Sequence, residues 1–255
     1  MIQDRTEVPV GPTQHPRSGV QTALDIVIAP AAAFAQLRQR PTWVWAFVAA
    51  SLLGMIGAFA ISSNVGHALV ADVSAQLAAS PQIAQLPADR RAATIAQQLS
   101  IVQATSRFAF LFVPFGLALA SAVAALVMLV ANAIGKGDGS FKKYWALAVN
   151  AGIISTGLAS VITMAIVLIR GPDALASASD LERVLPGLGM FIPAGAKRAL
   201  AFFSAVNVFS VWNATLLAAG MISIGRIPRA TAITTAIVIL LASGLFGMLG
   251  ALGQR

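Results

Sequence analysis

Five stretches, each about 20 or more residues long, carry no Asp, Glu, Lys or Arg in their interiors, and they govern what this chain can fold into. They cover residues 43–62, 108–134, 144–169, 202–224 and 230–252. A bilayer core about 30 Å thick needs about 20 mostly apolar helical residues, because inside lipid every backbone N–H and C=O must be bonded within its own segment. Composition agrees: 58% of the 255 residues are apolar and 10% charged, whereas a water-soluble domain is nearer a quarter charged. The fold class is therefore all-α, a polytopic membrane bundle of five transmembrane helices.

The net charge of +8 does not point to nucleic acid, because the 17 basic residues are scattered singly or in pairs between the apolar runs. They read as anchors beside lipid headgroups, so the bilayer itself is the expected partner. Residues 1–19 read as a disordered tail and residues 20–255 as the membrane domain. The tail lacks the charged-then-apolar pattern of a signal peptide, so the first apolar run is expected to stay as a span. Alanine richness and a preference for arginine over lysine point to a bacterial chain, and hence to the cytoplasmic (inner) membrane.

The connections are asymmetric. The two short ones, GKGDGSFKK and GRIPR, hold five basic residues against Asp138, while residues 63–107 and 170–201 hold seven basic residues and five acids in a much greater length. The positive-inside rule then places the N-terminus in the cytoplasm and the C-terminus outside. Residues 65–106 read as an extramembrane helical segment, with one helix over His67 to Ala79 broken at Ser80-Pro81 and another carrying Ile95, Leu99 and Val102 on one face. Ahead of the first span, Val20, Leu24, Val27, Ala31, Phe34 and Leu37 form an apolar stripe interrupted by Pro30. It suits either an interfacial helix or a soluble stub.

Chemistry-bearing constellations are scarce. With no cysteine and only His15 and His67, thiolate and histidine-pair metal sites are not expected, and no cofactor is expected either. Serines are many, but no G-x-S-x-G elbow or paired base accompanies them, so the chain reads as a non-enzyme. The spans contain no ionisable residue of the kind a proton or ion pathway uses. Their amide residues are Asn132, Asn150, Asn207 and Asn213; Asn150, Asn207, Asn213 and Thr215 are either pathway-lining groups or interhelical hydrogen-bonding groups, the second being the more usual role. Small residues at Gly116, Ala120 and Ala124, and at Gly244, Gly247 and Gly250, suit close helix packing.

The order of these features resembles the Yip family, the five-span membrane proteins known as Ypt-interacting or Yip-domain proteins. Three pieces carry the resemblance. They are Ile28-Ala29-Pro30 followed by Phe34 and Leu37; the GKGDGSFKK turn; and VNVFSVWNATLLAAGMISIGRIPRATAI with its spacing of Phe209, Trp212, Leu216 and Gly220. The likeness implies a five-helix bundle with a cytoplasmic N-terminus. Eukaryotic members are associated with Rab-type GTPases and vesicle traffic, but this chain has a short N-terminal region and Tyr144 as its sole tyrosine. What carries over is a role in membrane organisation or trafficking-like processes, exerted through lipids, a membrane-protein partner or a homo-oligomer. The alternative from the residues alone is a small permease, channel or lipid-translocating protein lined by Asn150, Asn207, Asn213 and Thr215.

Overall fold

A computed structural model describes residues 18–171, 177–193 and 195–250. Most of the expected tail, part of the 171–193 connection and the last residues of the fifth span lie outside the described residues. Helices dominate: α1 (Gly19–Ile28), α2 (Pro30–Gln39), α3 (Val44–Ala79), α4 (Pro81–Ala84), α5 (Ala88–Phe108), α6 (Val113–Ile134), α7 (Phe141–Gly152), α8 (Ala159–Arg170), α9 (Ala178–Leu181), α10 (Lys197–Ser204), α11 (Val208–Gly225) and α12 (Arg229–Gly250). No strand occurs among the described residues, and five helical stretches are long and apolar enough to cross a membrane. The chain is an integral membrane helical bundle.

The third crossing is the hub. From Tyr144 to Gly152 every side chain except Trp145 is buried, which is the mark of a helix surrounded on all sides. Alanines at 146, 148 and 151 and a glycine at 152 keep α7 thin, so α2, α3, α6 and α11 all reach it. Leu147 is its knob toward α11; a Cβ at Gly220 would fall on its methyls, so glycine there makes the hole. The helix then loosens into a π-helical turn, Ile153–Leu158, before α8 resumes. Gly54 and Gly57 of α3 pack against that turn and α8, and a Cβ at Gly57 would lie 2.8 Å from the carbonyl of Ser160.

Several boundaries differ from those read in the sequence. The apolar span itself, Val44–Gly66, is close to the one expected, but its helix does not end there; α3 runs on through residues 67–79 as one helix of 36 residues and ends where Ser80-Pro81 breaks it. It lies antiparallel to α5, which buries none of its residues. A 3-10 stretch, Ala109–Phe112, joins α5 to α6, and Pro114 sits in the first turn of α6, where its missing N–H costs little. The fourth apolar run is two helices, because the chain breaks at 205–207 between α10 and α11. The stripe before the first span is neither stub nor single helix. Pro30 opens α2 as its first residue, and α1 and α2 bury Ile26, Ala33, Phe34 and Leu37 in the main core.

The glycines divide by what faces them. Gly244 and Gly247 of α12 meet the carbonyls of Phe202 and Ala201, so that close packing is within one chain, against α10. Gly116 and Gly66 face open space, so the close packing expected at Gly116 is not made within this bundle. Gly57→Ala should therefore destabilise the bundle by about 1–3 kcal/mol through overpacking. Gly66→Ala should leave stability level or raise it by up to about 1 kcal/mol from helix propensity. Thermal unfolding of both variants in detergent checks the pair.

Candidate functional site: the polar groups of the bundle

At the end where α6, α7, α11 and α12 are joined by short connections, the two loops dock on each other. Each turns sharply by placing a non-glycine residue in the left-handed region, Lys136 at φ 51° and Arg226 at φ 54°. Asp138 N–H donates to the carbonyl of Gly225 at 2.9 Å. Asn132, 8% exposed near the end of α6, organises the rest. Its Oδ1 accepts from Gly139 N–H at 2.9 Å and from the Tyr144 hydroxyl at 2.7 Å, and its Nδ2 donates to Gly137 O at 3.1 Å. A Cβ on Gly139 or Gly225 would strike the Tyr144 hydroxyl, so both loops can close over the ring only as glycines. Arg226 approaches Asp138 at 3.5 Å with both side chains exposed, an arrangement that adds little stability.

In the sequence Tyr144 stands out only as the sole tyrosine and Asn132 only as one amide among several. The alternation Gly135, Gly137, Gly139 was the available signal, since glycines at every second position mark a backbone approached closely from one side.

The four residues read as pathway-lining or interhelical go to separate places. Asn150 is fully buried; its Nδ2 donates to Thr42 O at 2.9 Å and Ala146 O at 2.8 Å, tying the approach to α3 onto α7. Its Oδ1 and the Thr42 hydroxyl are buried without a hydrogen bond. Asn207 caps α11, its Oδ1 accepting from Phe209 N–H and Ser210 N–H, while Ser210 Oγ accepts from Asn207 N–H at 2.8 Å. The same residue sits where the loop at Pro186–Leu188 pairs with the α10–α11 junction, through Leu188 N–H to Val206 O and Val208 N–H to Pro186 O. Thr215 donates to Val211 O within its own helix and is exposed on the surface of the bundle.

Asn213 alone of the four faces a cavity. This space, about 220 Å³, lies between α6, the α7–π turn, α11 and α12. Its polar lining comes from Ser121, Ser155, Thr156, Ser210, Asn213 and Ser243, and no Asp, Glu, Lys, Arg or His reaches it. Ser210 and Ser243 donate to carbonyls of their own helices. A second, wider groove of about 560 Å³ opens between α3 and α5 where Phe59, Ser62, Ser63 and Arg107 meet. Among the described residues no group of three or more His, Cys, Asp or Glu side chains is placed to hold a metal ion.

The residues behind the family likeness also have defined places. Pro30 starts α2, Phe34 is 4% exposed in the core, Phe209 packs on that core, Trp212 lies at the bundle surface, and Gly220 receives Leu147. The family model of the Yip1 domain matches residues 24–251. No curated protein and no solved structure matches the chain.

The Asn132–Tyr144 pair yields a direct test. Tyr144→Phe should cost about 1 kcal/mol by deleting one hydrogen bond, and Asn132→Leu about 2–3 kcal/mol by stranding several loop groups. A double-mutant cycle read by thermal unfolding should give a clear coupling between them.

Proposed function

The chain belongs to the Yip1 domain family, and on that footing we propose that it is a non-enzymatic membrane protein that organises membranes, or serves a trafficking-like step, through lipid and membrane-protein contacts. The observation that supports this reading is the dispersal of the span amides. Groups serving a conduction path should line one shared space, yet of the four only Asn213 faces the cavity; the other three go elsewhere, Asn150 tying the linker at Thr42 to α7, Asn207 capping α11 and Thr215 bonding back into its own helix. Each satisfies a local backbone need, which is the usual work of polar side chains in membrane helices. The surface left over is apolar and broad: Phe115, Leu119, Val130 and Ile134 of α6 and Ile237, Leu241 and Phe246 of α12 are all exposed, suited to lipid tails or a second membrane protein. On α1, the exposed Val20, Leu24 and Ile28 recur every fourth residue, as in a helix lying at the interface.

The proposed orientation puts the docked short loops and the N-terminus in the cytoplasm of a bacterial inner membrane, with the C-terminus outside. What supports it is charge density, with Lys136, Lys142, Lys143, Arg226 and Arg229 concentrated in two short connections. The chain has no cysteine, so single thiols can report sidedness without background. Gln97→Cys should react with a membrane-impermeant maleimide in intact cells, and Ser140→Cys only after the membrane is opened. The opposite pattern would invert the orientation.

The functional reading is tested by reconstitution. Purified protein in liposomes should give no solute or ion flux and no lipid scrambling above protein-free vesicles, while crosslinking in the native membrane should capture a discrete protein or lipid neighbour. Robust flux together with an absence of captured neighbours would overturn it.

A further inference from the structure

The cavity between α6, the π-helical turn, α11 and α12 holds polar groups that the fold itself leaves unused. Ser121 is only 4% exposed, it lines the cavity, and its hydroxyl makes no hydrogen bond among the described residues. The half-buried side chains of Ser155, Thr156 and Asn213, from two further elements of the wall, likewise make no hydrogen bond among the described residues. In a bilayer such groups normally bond back into their own helix, as Thr215 and Ser243 do, because an unsatisfied polar group in hydrocarbon is costly. Four of them turned toward one space is the arrangement of a binding site. The π-helical turn that carries Ser155 and Thr156 points the same way, since such turns recur at functional sites.

We propose that this cavity binds an uncharged, glycerol-sized moiety rich in hydroxyl or ester oxygens. Charge is excluded by the lining, because no ionisable side chain is there to compensate it in a low-dielectric wall. Size follows from the volume of about 220 Å³, room for a few polar heavy atoms together with water at about 30 Å³ per molecule. Ser121, Thr156 and Asn213 each lie near the middle of their own apolar run, so the site is close to the midplane of the bundle. A diglyceride, which has no charged headgroup to hold it at the surface, and a small polyol entering from water are the two sources of such a moiety. Leu117, Leu217 and Ile239 supply the apolar remainder of the wall. The inference goes beyond the proposed function, and its failure would leave the partner-and-lipid reading untouched.

The test uses the full chain in detergent, with dioleoylglycerol and dioleoylphosphatidic acid read by native mass spectrometry and free glycerol read by saturation-transfer NMR. Dioleoylglycerol should be retained at least tenfold over the phosphatidic acid, and Asn213→Leu, which fills and greases the cavity, should lower retention at least tenfold. A glycerol signal that Asn213→Leu abolishes, without diglyceride retention, would support the site with a free polyol as its ligand. Thr156→Val, nearly the same in shape, serves if Asn213→Leu does not fold, and should weaken whichever ligand binds severalfold. Equal retention of the two lipids, binding indifferent to both substitutions, or binding of neither probe would overturn the proposal.

Discussion

The arrangement of the bundle depends on how thin α7 is. Helices in lipid gain little from the hydrophobic effect against one another, since lipid tails are as apolar as leucine, so association rests on van der Waals contact and a few hydrogen bonds. Such contact needs backbones to come close, and the run Ala146, Ala148, Ala151 and Gly152 permits it on several sides at once. Leu147 then fixes rotation by filling the hole at Gly220. Asn150 fixes height, because its two donated hydrogen bonds hold α7 at one level against the residues leading into α3. Beyond Gly152 the π-helical turn shifts the later residues round the axis, and α8 leaves the hub to pack along α3.

The two ends of the bundle are built on opposite principles. At the short-loop end, turns of few residues are locked by backbone hydrogen bonds, by Asn132 and by a buried tyrosine, and α2 closes the base with Phe34 and Leu37. Order there comes from polar groups satisfied one by one. At the other end the connections are long. A small separate core of Val65, Val167 and Val184 forms beneath the Pro186–Leu188 loop, and α3 and α5 rise past it.

Most of the membrane architecture was legible because its signal is length and apolarity, and both survive in a plain reading of residues 43–62, 108–134 and 230–252. The fourth run misled for the same reason. Phe202 to Ile224 is apolar without interruption, so composition hides a break that hydrogen bonding makes, where Asn207 and Ser210 form reciprocal caps. An Asn followed three residues later by Ser was there to be read as a helix start, but an apolar flank on both sides masks it. The polar residues of the spans stand out in the sequence, but their division into ties, caps and cavity lining does not. Which way a side chain points depends on helix rotation, set by neighbours far away in the chain. The Asn132–Tyr144 latch was missed because its ring is recognised by the glycines of two different loops.

The pairing of α3 with α5 has a mechanical consequence. At 1.5 Å per residue α3 is about 54 Å long, nearly twice the depth of a bilayer core, so close to half of it stands clear of the hydrocarbon. It is one unbroken beam running from beside the hub to the tip of the hairpin. The returning strut is different: it is articulated at Ala109–Phe112, where the helix tightens, and pinned beside that joint by the edge-to-face pair of Phe59 and Phe110. A load applied at the tip is therefore carried to the interior by α3 as tilt, while α5 yields at its foot. A push on the exposed hairpin would be felt first at Gly54 and Gly57, where the beam rests on the π-helical turn and the start of α8.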